Sequence, residues 1–472
     1  MKKKPGLRGR RLAKQRQPRT APQHIAPPHA QRPTLSNVPQ FLTLELEVEQ
    51  EYRPQMLDRL EEKVNEVVER SRAGVPVCPH CKRSMGYHDA RTVFWRARFG
   101  RVGAAVPRYR CAGCKYKCRP VLEQLGVEPG RISGSLARLL ALLAVVAPYT
   151  TAAQLAWLLL GVKISPMGIW RVAQRMGEAA ARYNEDLSKY HSDSRSDPTS
   201  AQVAPDVVVL GVDGCMLGMQ VRGRRRRLQA GERPEPLPAV EEGRFREVKT
   251  GVLLLPNERV ETSPGRRSLV RRFLVSCLGD ADAVFSHLWA RLRELGWLGT
   301  QTVVVIIGDG ADWIWKRATM FPRRCEILDF WHAVEHAWEF ARLCYGEGSG
   351  QADRWVHRIA EDLRAGDIQN VIARLQRMRP RSPEVRQSLD ALIRYYRDNA
   401  SRMRYDEYLR LGYGIGSGAV ESAHKQVVHA RFRQAGMRWS EAGARRLLAL
   451  RLLLLNQDWA LLDQLRMVSL AA

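Results

Sequence analysis

No acidic residue occurs before Glu45, and acids stay scarce beyond it: 49 Asp and Glu face 76 Lys and Arg, for a net charge of +27 and a pI near 10.2. That imbalance says little about fold. It points to a polyanionic partner, nucleic acid first and an anionic membrane surface second. Long hydrophobic runs are also missing. No apolar stretch reaches the ~18 to 20 residues that a membrane span needs. The longest, Leu136 to Ala147, reads as a buried helix, so no membrane partner is expected. The basic N-terminus is not followed by an apolar segment and a small-residue cleavage site, so no secretory signal is expected. Nine cysteines, an odd number containing two CxxC pairs, do not make a disulfide framework. They suit a reducing compartment and metal binding, and a cytoplasmic, nucleoid-associated location is expected.

At 472 residues the chain has room for two to four domains. Residues 1–40 carry Lys, Arg, Pro and Gln and too little apolar surface to offset ordering, so they read as a disordered basic tail. Residues 41–72 follow a charged helical pattern that packs as an amphipathic helix or pairs with another copy of itself. Residues 73–122 hold the cysteine-rich module, and 131–200 are helical. Ser133 is an N-cap, Thr150 to Gly161 is a helix ended by glycine, and Ser165-Pro166 starts another. Helix, glycine turn and capped second helix outline a helix-turn-helix. An ordinary helical hairpin is the alternative.

From residue 205 strands alternate with helices, which reads as α/β. Strands are expected at 206–213, 302–308 and 325–329, with 215–222 and 246–255 as a hairpin. A long helix is expected from Ser268 to Trp297 and a short one from Ala311 to Met320. Residues 336–412 read as a helical insertion, before a last part at 413–472.

Cys78-Pro-His-Cys81 and Cys111-Ala-Gly-Cys114 are the sharpest local signal. Each CxxC turn offers two thiolates to one ion, and two turns complete a tetrahedral zinc site. The interval between the pairs exceeds the commonest spacing, and a β-hairpin over residues 93–110 accommodates it. Four thiolates leave no open position for water, so this zinc would be structural, with Cys118 as a possible substitute ligand. In the second helix of the hairpin motif, Arg171, Gln174 and Arg175 are the residues offered to a DNA groove.

Two apolar runs end in acids, Val-Val-Val-Leu-Gly-Val-Asp213-Gly and Val-Val-Val-Ile-Ile-Gly-Asp309-Gly. An isolated aspartate there serves turn amides as readily as chemistry. If the two strands pair in parallel, the carboxylates lie side by side and can share a divalent cation. Asp312 competes with Asp309 for that role. Glu421 follows Gly416-Ser417-Gly418 at the head of a helical pattern, where it is either a ligand or a dipole-complementing glutamate behind a Gly418 cap. His424 and Lys425 share its face by spacing, and serve phosphate or solvent. Asp329-Phe-Trp-His332 closes the next strand, with Asp329 either reaching the same pocket or capping a helix. Arg222 to Arg227 reads as a hairpin tip, and Glu232 to Glu242 as a loop.

Taken together, Gly211-Val-Asp213-Gly, Gly308-Asp309-Gly-Ala-Asp-Trp313-Ile, Leu328-Asp329-Phe-Trp-His332, Gly416-Ser-Gly-Ala-Val-Glu421-Ser422 and Gly436-Met-Arg438-Trp439-Ser440 resemble bacterial insertion-sequence transposases of the DDE type. The likeness is to the ISKra-type group and its Mutator-like relatives and spans residues 45 to 455. It implies an RNase H-like core, 205–335 and 413–472, interrupted by an all-helical insertion. It implies that Asp213, Asp309 and Glu421 are catalytic and hold two Mg²⁺ (or Mn²⁺) ions, with Asp329 and His332 as an auxiliary Asp-x-x-His signature; His424, from its spacing alone, is a further auxiliary candidate. Lys425, Arg438 and Trp439 join Arg171, Gln174 and Arg175 as expected DNA contacts. The implied partners are double-stranded DNA, both element ends and target, and further copies of the chain in a dimer or higher homo-oligomer. A catalytically inactive DNA-binding protein and an RNase H-like nuclease that cuts without joining are the competing functions.

Overall fold

The computed structural model describes residues 40–72, 74–128, 130–193, 204–220, 245–263, 266–269 and 271–465. The basic tail before residue 40, the Arg222–Arg227 run and the Glu232–Glu242 stretch lie outside the described residues. Two compact units divide the chain, Met1–Met56 and Leu57–Ala472. The described part of the first is the opening half of helix α1 (Phe41–Ser71), on which Phe41, Leu44, Val48 and Tyr52 are exposed.

The second unit is a multi-domain α/β assembly with mixed sheets. Strands β1 (Met85–Arg96) and β2 (Arg101–Cys111) form an antiparallel hairpin. Alternation puts Val93 and Trp95 on one face with Val102, Ala104 and Val106, where they bury Val64 and Val68 of α1. Helices α2 (Gly134–Val146), α3 (Tyr149–Leu160) and α4 (Pro166–Asp193) follow. Ser133 Oγ accepts the Leu136 N–H, and Gly161 ends α3 in the left-handed region at φ 64°. Ser165 Oγ accepts the Gly168 N–H at 3.1 Å as α4 begins with Pro166.

Five strands make the main sheet: β3 (Val207–Gly218), β4 (Phe245–Leu254), β5 (Arg272–Leu278), β6 (Val303–Gly308) and β7 (Arg324–Leu328). Their order is β5-β4-β3-β6-β7; the first three are antiparallel, and β3, β6 and β7 run parallel. Two expectations are corrected here. Residues 215–218 are not a separate strand, because β3 continues through Asp213 and pairs with β4 as far as Gly218↔Phe245. The helix expected from Ser268 is also shorter: Phe273-Leu-Val-Ser-Cys-Leu278 is a continuous apolar run with no helical polar face, and it fills the sheet edge as β5. Helix α5 (Ala281–Glu294) begins only after Gly279, with Asp280 capping the Ala283 N–H at 2.9 Å.

After β6 come α6 (Asp312–Ala318), α7 (Phe330–Tyr345), α8 (Gly350–Arg364), α9 (Ile368–Arg377), α10 (Pro383–Asn399) and α11 (Tyr405–Arg410). Their apolar faces extend the cluster of Val305, Phe285 and Phe330. Helices α12 (Gly418–His424) and α13 (Glu441–Leu455) join α2 and α4 in a second cluster with Val252 and Leu274 of the sheet. A Cβ on Gly177 of α4 would meet the Arg446 carbonyl oxygen of α13 at 2.4 Å, so only glycine permits that approach. No helix among the described residues is long and apolar enough to cross a membrane.

Two buried arginines fasten α12 to α2. A π-helical turn, Lys425–His429, continues α12. Arg451 Nε donates to the Gln426 and Val427 carbonyls at 2.9 Å each, and Nη1 to Val145 O at 2.5 Å. Arg431 Nε donates to Ala144 O at 2.8 Å, with its guanidinium 5.2 Å from both the Tyr149 and Trp439 rings. Burial, then the Arg431 charge, lowers Arg451 to about 10, which leaves it a cation at neutral pH. Removing it strands several buried carbonyls at about 1–3 kcal/mol each. Arg451→Met should therefore lower unfolding free energy by roughly 3 kcal/mol, read from the urea midpoint; an unmoved midpoint would contradict this account of the π turn.

Candidate active-site cleft and cysteine centre

Cys78, Cys81, Cys111 and Cys114 bring their sulfurs together at the base of the β1–β2 hairpin, with Sγ separations of 3.4 Å (78–114), 3.3 Å (81–111) and 3.8 Å (81–114). Four thiolates at about 2.3 Å from one ion would stand about 3.8 Å apart, so the cluster has the dimensions of a structural metal site such as zinc. All four are free thiols. The two turns repeat one another: Lys82 N–H donates to Cys78 O and Lys115 N–H to Cys111 O, with Lys82 and Lys115 both left-handed at φ 58° and 62°. Backbone N–H groups of the turns favour the thiolates; Cys81's lowers Cys78, and those of Cys114 and Gly113 help to lower Cys111 to about 6. Cys118 lies outside the cluster against Met85, so it is no substitute ligand.

The acids are arranged by sheet register. Ile307 pairs with Gly211 in the parallel β3–β6 ladder, so two positions further on Asp309 stands beside Asp213. Gly308 pairs with Leu328, so the next position sets Asp329 beside Asp309. Three aspartates thus occupy one row across neighbouring strands, which lie about 4.8 Å apart. Asp213 is interior to β3, and reaches the row's edge because its neighbour β6 stops at Gly308. Glu421 comes from α12, which lies on β3 where Gly211 has no side chain; a Cβ there would meet Val420 Cβ at 3.3 Å. Asp213, Asp309, Asp329 and Glu421 line one cleft of about 450 Å³, with Ser417, Trp331, His332, Glu335, Trp338 and Arg342.

Their roles divide by hydrogen bonding. Asp329 is buried and caps α7: Oδ1 accepts the Trp331 and His332 N–H groups at 2.6 and 3.1 Å, and Oδ2 accepts Ser417 N–H at 2.7 Å. It is a scaffold joining the β7 end to the turn before Glu421. Asp309 Oδ1 accepts the Ala311 N–H at 3.0 Å, and its carbonyl accepts the Tyr395 hydroxyl at 3.0 Å. Burial, with the Asp309 and Asp329 charges beside it, raises the Tyr395 phenol well above its usual range. Ser417, not Gly418, is the cap residue of α12, and its hydroxyl donates to Glu421 Oε1 at 3.1 Å. Asp312 is exposed on α6 and pairs with Lys316. Among the described residues, Asp213, Asp309 and Glu421 make no ion pair with arginine or lysine, in a chain with a large excess of both. As a trio, however, they do not close to within 4.8 Å; only the four cysteines do so among the described residues.

Several expected contacts are corrected. His424 does not share a solvent face with Lys425: it is 4% exposed and turned inward, with Nδ1 3.1 Å from Asp213 Oδ2, while Lys425 is exposed. Gln174 is buried where α4 packs on α13, with Arg446 Nη1 at 3.5 Å, so it is not presented to a groove. Arg175 is half-buried, and Arg171 is exposed. Trp439 is buried; its indole N–H donates to Phe432 O, and its backbone pairs with Gly218 and Gln220 at the end of β3. Arg438 is half-buried with its carbonyl accepting from Gln220. His332 lies at the cleft rim, 3.5 Å from Glu335. Sequence reasoning missed Trp338 and Arg342, which line the cleft from α7 beyond the Asp329–His332 motif, and Tyr395, whose hydroxyl reaches the Asp309 carbonyl from α10.

No protein-family model and no curated protein matches this chain. The cysteine centre is testable alone. Purified protein should carry one zinc per chain by atomic absorption, and Cys111→Ser should lose it together with the protection of the Trp95 hairpin from proteolysis. Full zinc content in that variant would contradict the four-sulfur site.

Proposed function

We propose that this chain is a DDE-type DNA transposase that binds the ends of its element and carries out Mg²⁺-dependent cleavage and strand transfer. The observation that carries the reading is the convergence of Asp213 and Asp309, on adjacent parallel strands, with Glu421 from a helix, on one cleft. A sheet of three antiparallel and two parallel-added strands, with a helical stretch before the last acid, supports an RNase H-like core with an all-helical insertion. The α3–Gly161–α4 corner supports a helix-turn-helix, with Arg171 outward and Gln174 serving the core, and the cysteine cluster supports a zinc ribbon.

The donor set fits divalent magnesium or manganese: hard carboxylate oxygens facing a cleft, with no arginine or lysine paired to them among the described residues. Asp213, Asp309 and Glu421 would be the residues that hold such ions. Bound there, such ions would supply Lewis-acid stabilisation of phosphate charge and acidify the attacking water or 3′-hydroxyl. The chain's own residues do the positioning. Asp329 locks the Ser417 turn, Ser417 orients Glu421, and Tyr395 fixes the Asp309 backbone. Arg342 and His332 at the cleft wall meet DNA phosphate, and the +27 charge draws in the duplex.

Asp213→Asn, Asp309→Asn and Glu421→Gln should each reduce cleavage of a plasmid carrying the element ends by at least about a hundredfold, while gel-shift affinity for those ends stays within a few-fold. Wild-type cleavage by any of the three would remove the proposal.

A further inference from the structure

We infer that His424 is a positioning residue that ties Asp213 to the helix bearing Glu421, so that acids from two different elements present their oxygens as one unit; this rests on the metal-dependent reading above. His424 sits one helical turn beyond Glu421 on α12, and its Nδ1 faces Asp213 Oδ2 at 3.1 Å. The opposite ring nitrogen, Nε2, is buried without a partner. An aliphatic residue would fill this place without leaving a ring nitrogen unpaired, so the approach to Asp213 is what the imidazole contributes.

Asp213 Oδ1 already accepts the Gly214 N–H at 2.6 Å. With His424 Nδ1 3.1 Å from Oδ2, each carboxylate oxygen has a nitrogen beside it, and a swing about the terminal torsion would lose both approaches. Each oxygen keeps a further lone pair for a cation. The anchor itself is firm: the π turn begins at the next residue, and Arg451 holds the Gln426 and Val427 carbonyls within it. A donor behind a ligating carboxylate orients it and tunes its affinity.

Calorimetric titration of the zinc-loaded full chain with Mn²⁺ tests this without any turnover. His424→Ala should weaken Mn²⁺ binding by about tenfold or more. His424→Asn, whose amide nitrogen falls near Nδ1, should recover affinity to within a few-fold. His424→Gln, whose amide lies further out, should not. Wild-type affinity in the Ala variant, or equal affinities in Asn and Gln, would overturn the inference; the Asn–Gln contrast decides even if the Ala variant fails to fold. Asp309→Asn provides the separate control. If it leaves Mn²⁺ affinity unchanged, the metal-dependent reading fails whatever the His424 variants do.

Discussion

Parallel pairing of β3 with β6, in the register that sets Ile307 against Gly211, fixes where Asp213 and Asp309 stand in the cleft. A slip of one residue would turn Asp309 to the opposite face and break the row. The register is held by what lies under it: Val208, Leu210, Val304 and Ile306 are fully buried, so sliding either strand would expose a continuous apolar run. The chemistry of the row is therefore bound to the packing of the core. Asp213 differs from the other two aspartates in standing inside a strand paired by β4, and its backbone is the most constrained of the three.

The helix that adds Glu421 is secured both from the sheet and from the helical cluster. Asp329 reaches across from the end of β7 to the Ser417 N–H, and Arg451 and Arg431 grip the helix beyond Glu421 and hook it to the carboxyl end of α2. Cations at that end also answer the α2 helix dipole. Because α2 to α4 belong to the same apolar cluster as α12, a load applied to the helical region has a packed route to the acid-bearing helix.

Local sequence signals carried much of this. The apolar strand stopped before Asp309-Gly, two CxxC turns, the Ser133 and Ser165 caps and the Gly161 stop all depend on residues within a few positions of one another, and the structure has each of them; the strand bearing Asp213 instead runs on to Gly218. What stayed hidden depends on long-range packing. The spacing of Glu421, His424 and Lys425 placed them on one face, yet helical spacing cannot say which edge of that face meets a sheet; α12 turns His424 inward and leaves Lys425 in solvent. Gln174 and Trp439 looked like surface contacts because polar and aromatic residues suit DNA, whereas packing of α4 on α13 and of the β3 end on residue 439 buries them. The strand at 272–278 was taken into a helix because a short apolar run has no period of its own. Tyr395 and Arg342 had no motif to announce them.

Under the proposed function, Asp213, Asp309 and Glu421 gather a divalent cation from three separate elements. Replacing that cation with Fe²⁺ and generating hydroxyl radicals with ascorbate and peroxide would cut the backbone beside it. Fragment ends should cluster near residues 213, 309 and 421 together and be suppressed by excess Mg²⁺. Cuts confined to the cysteine hairpin, or near only one of the three acids, would contradict it.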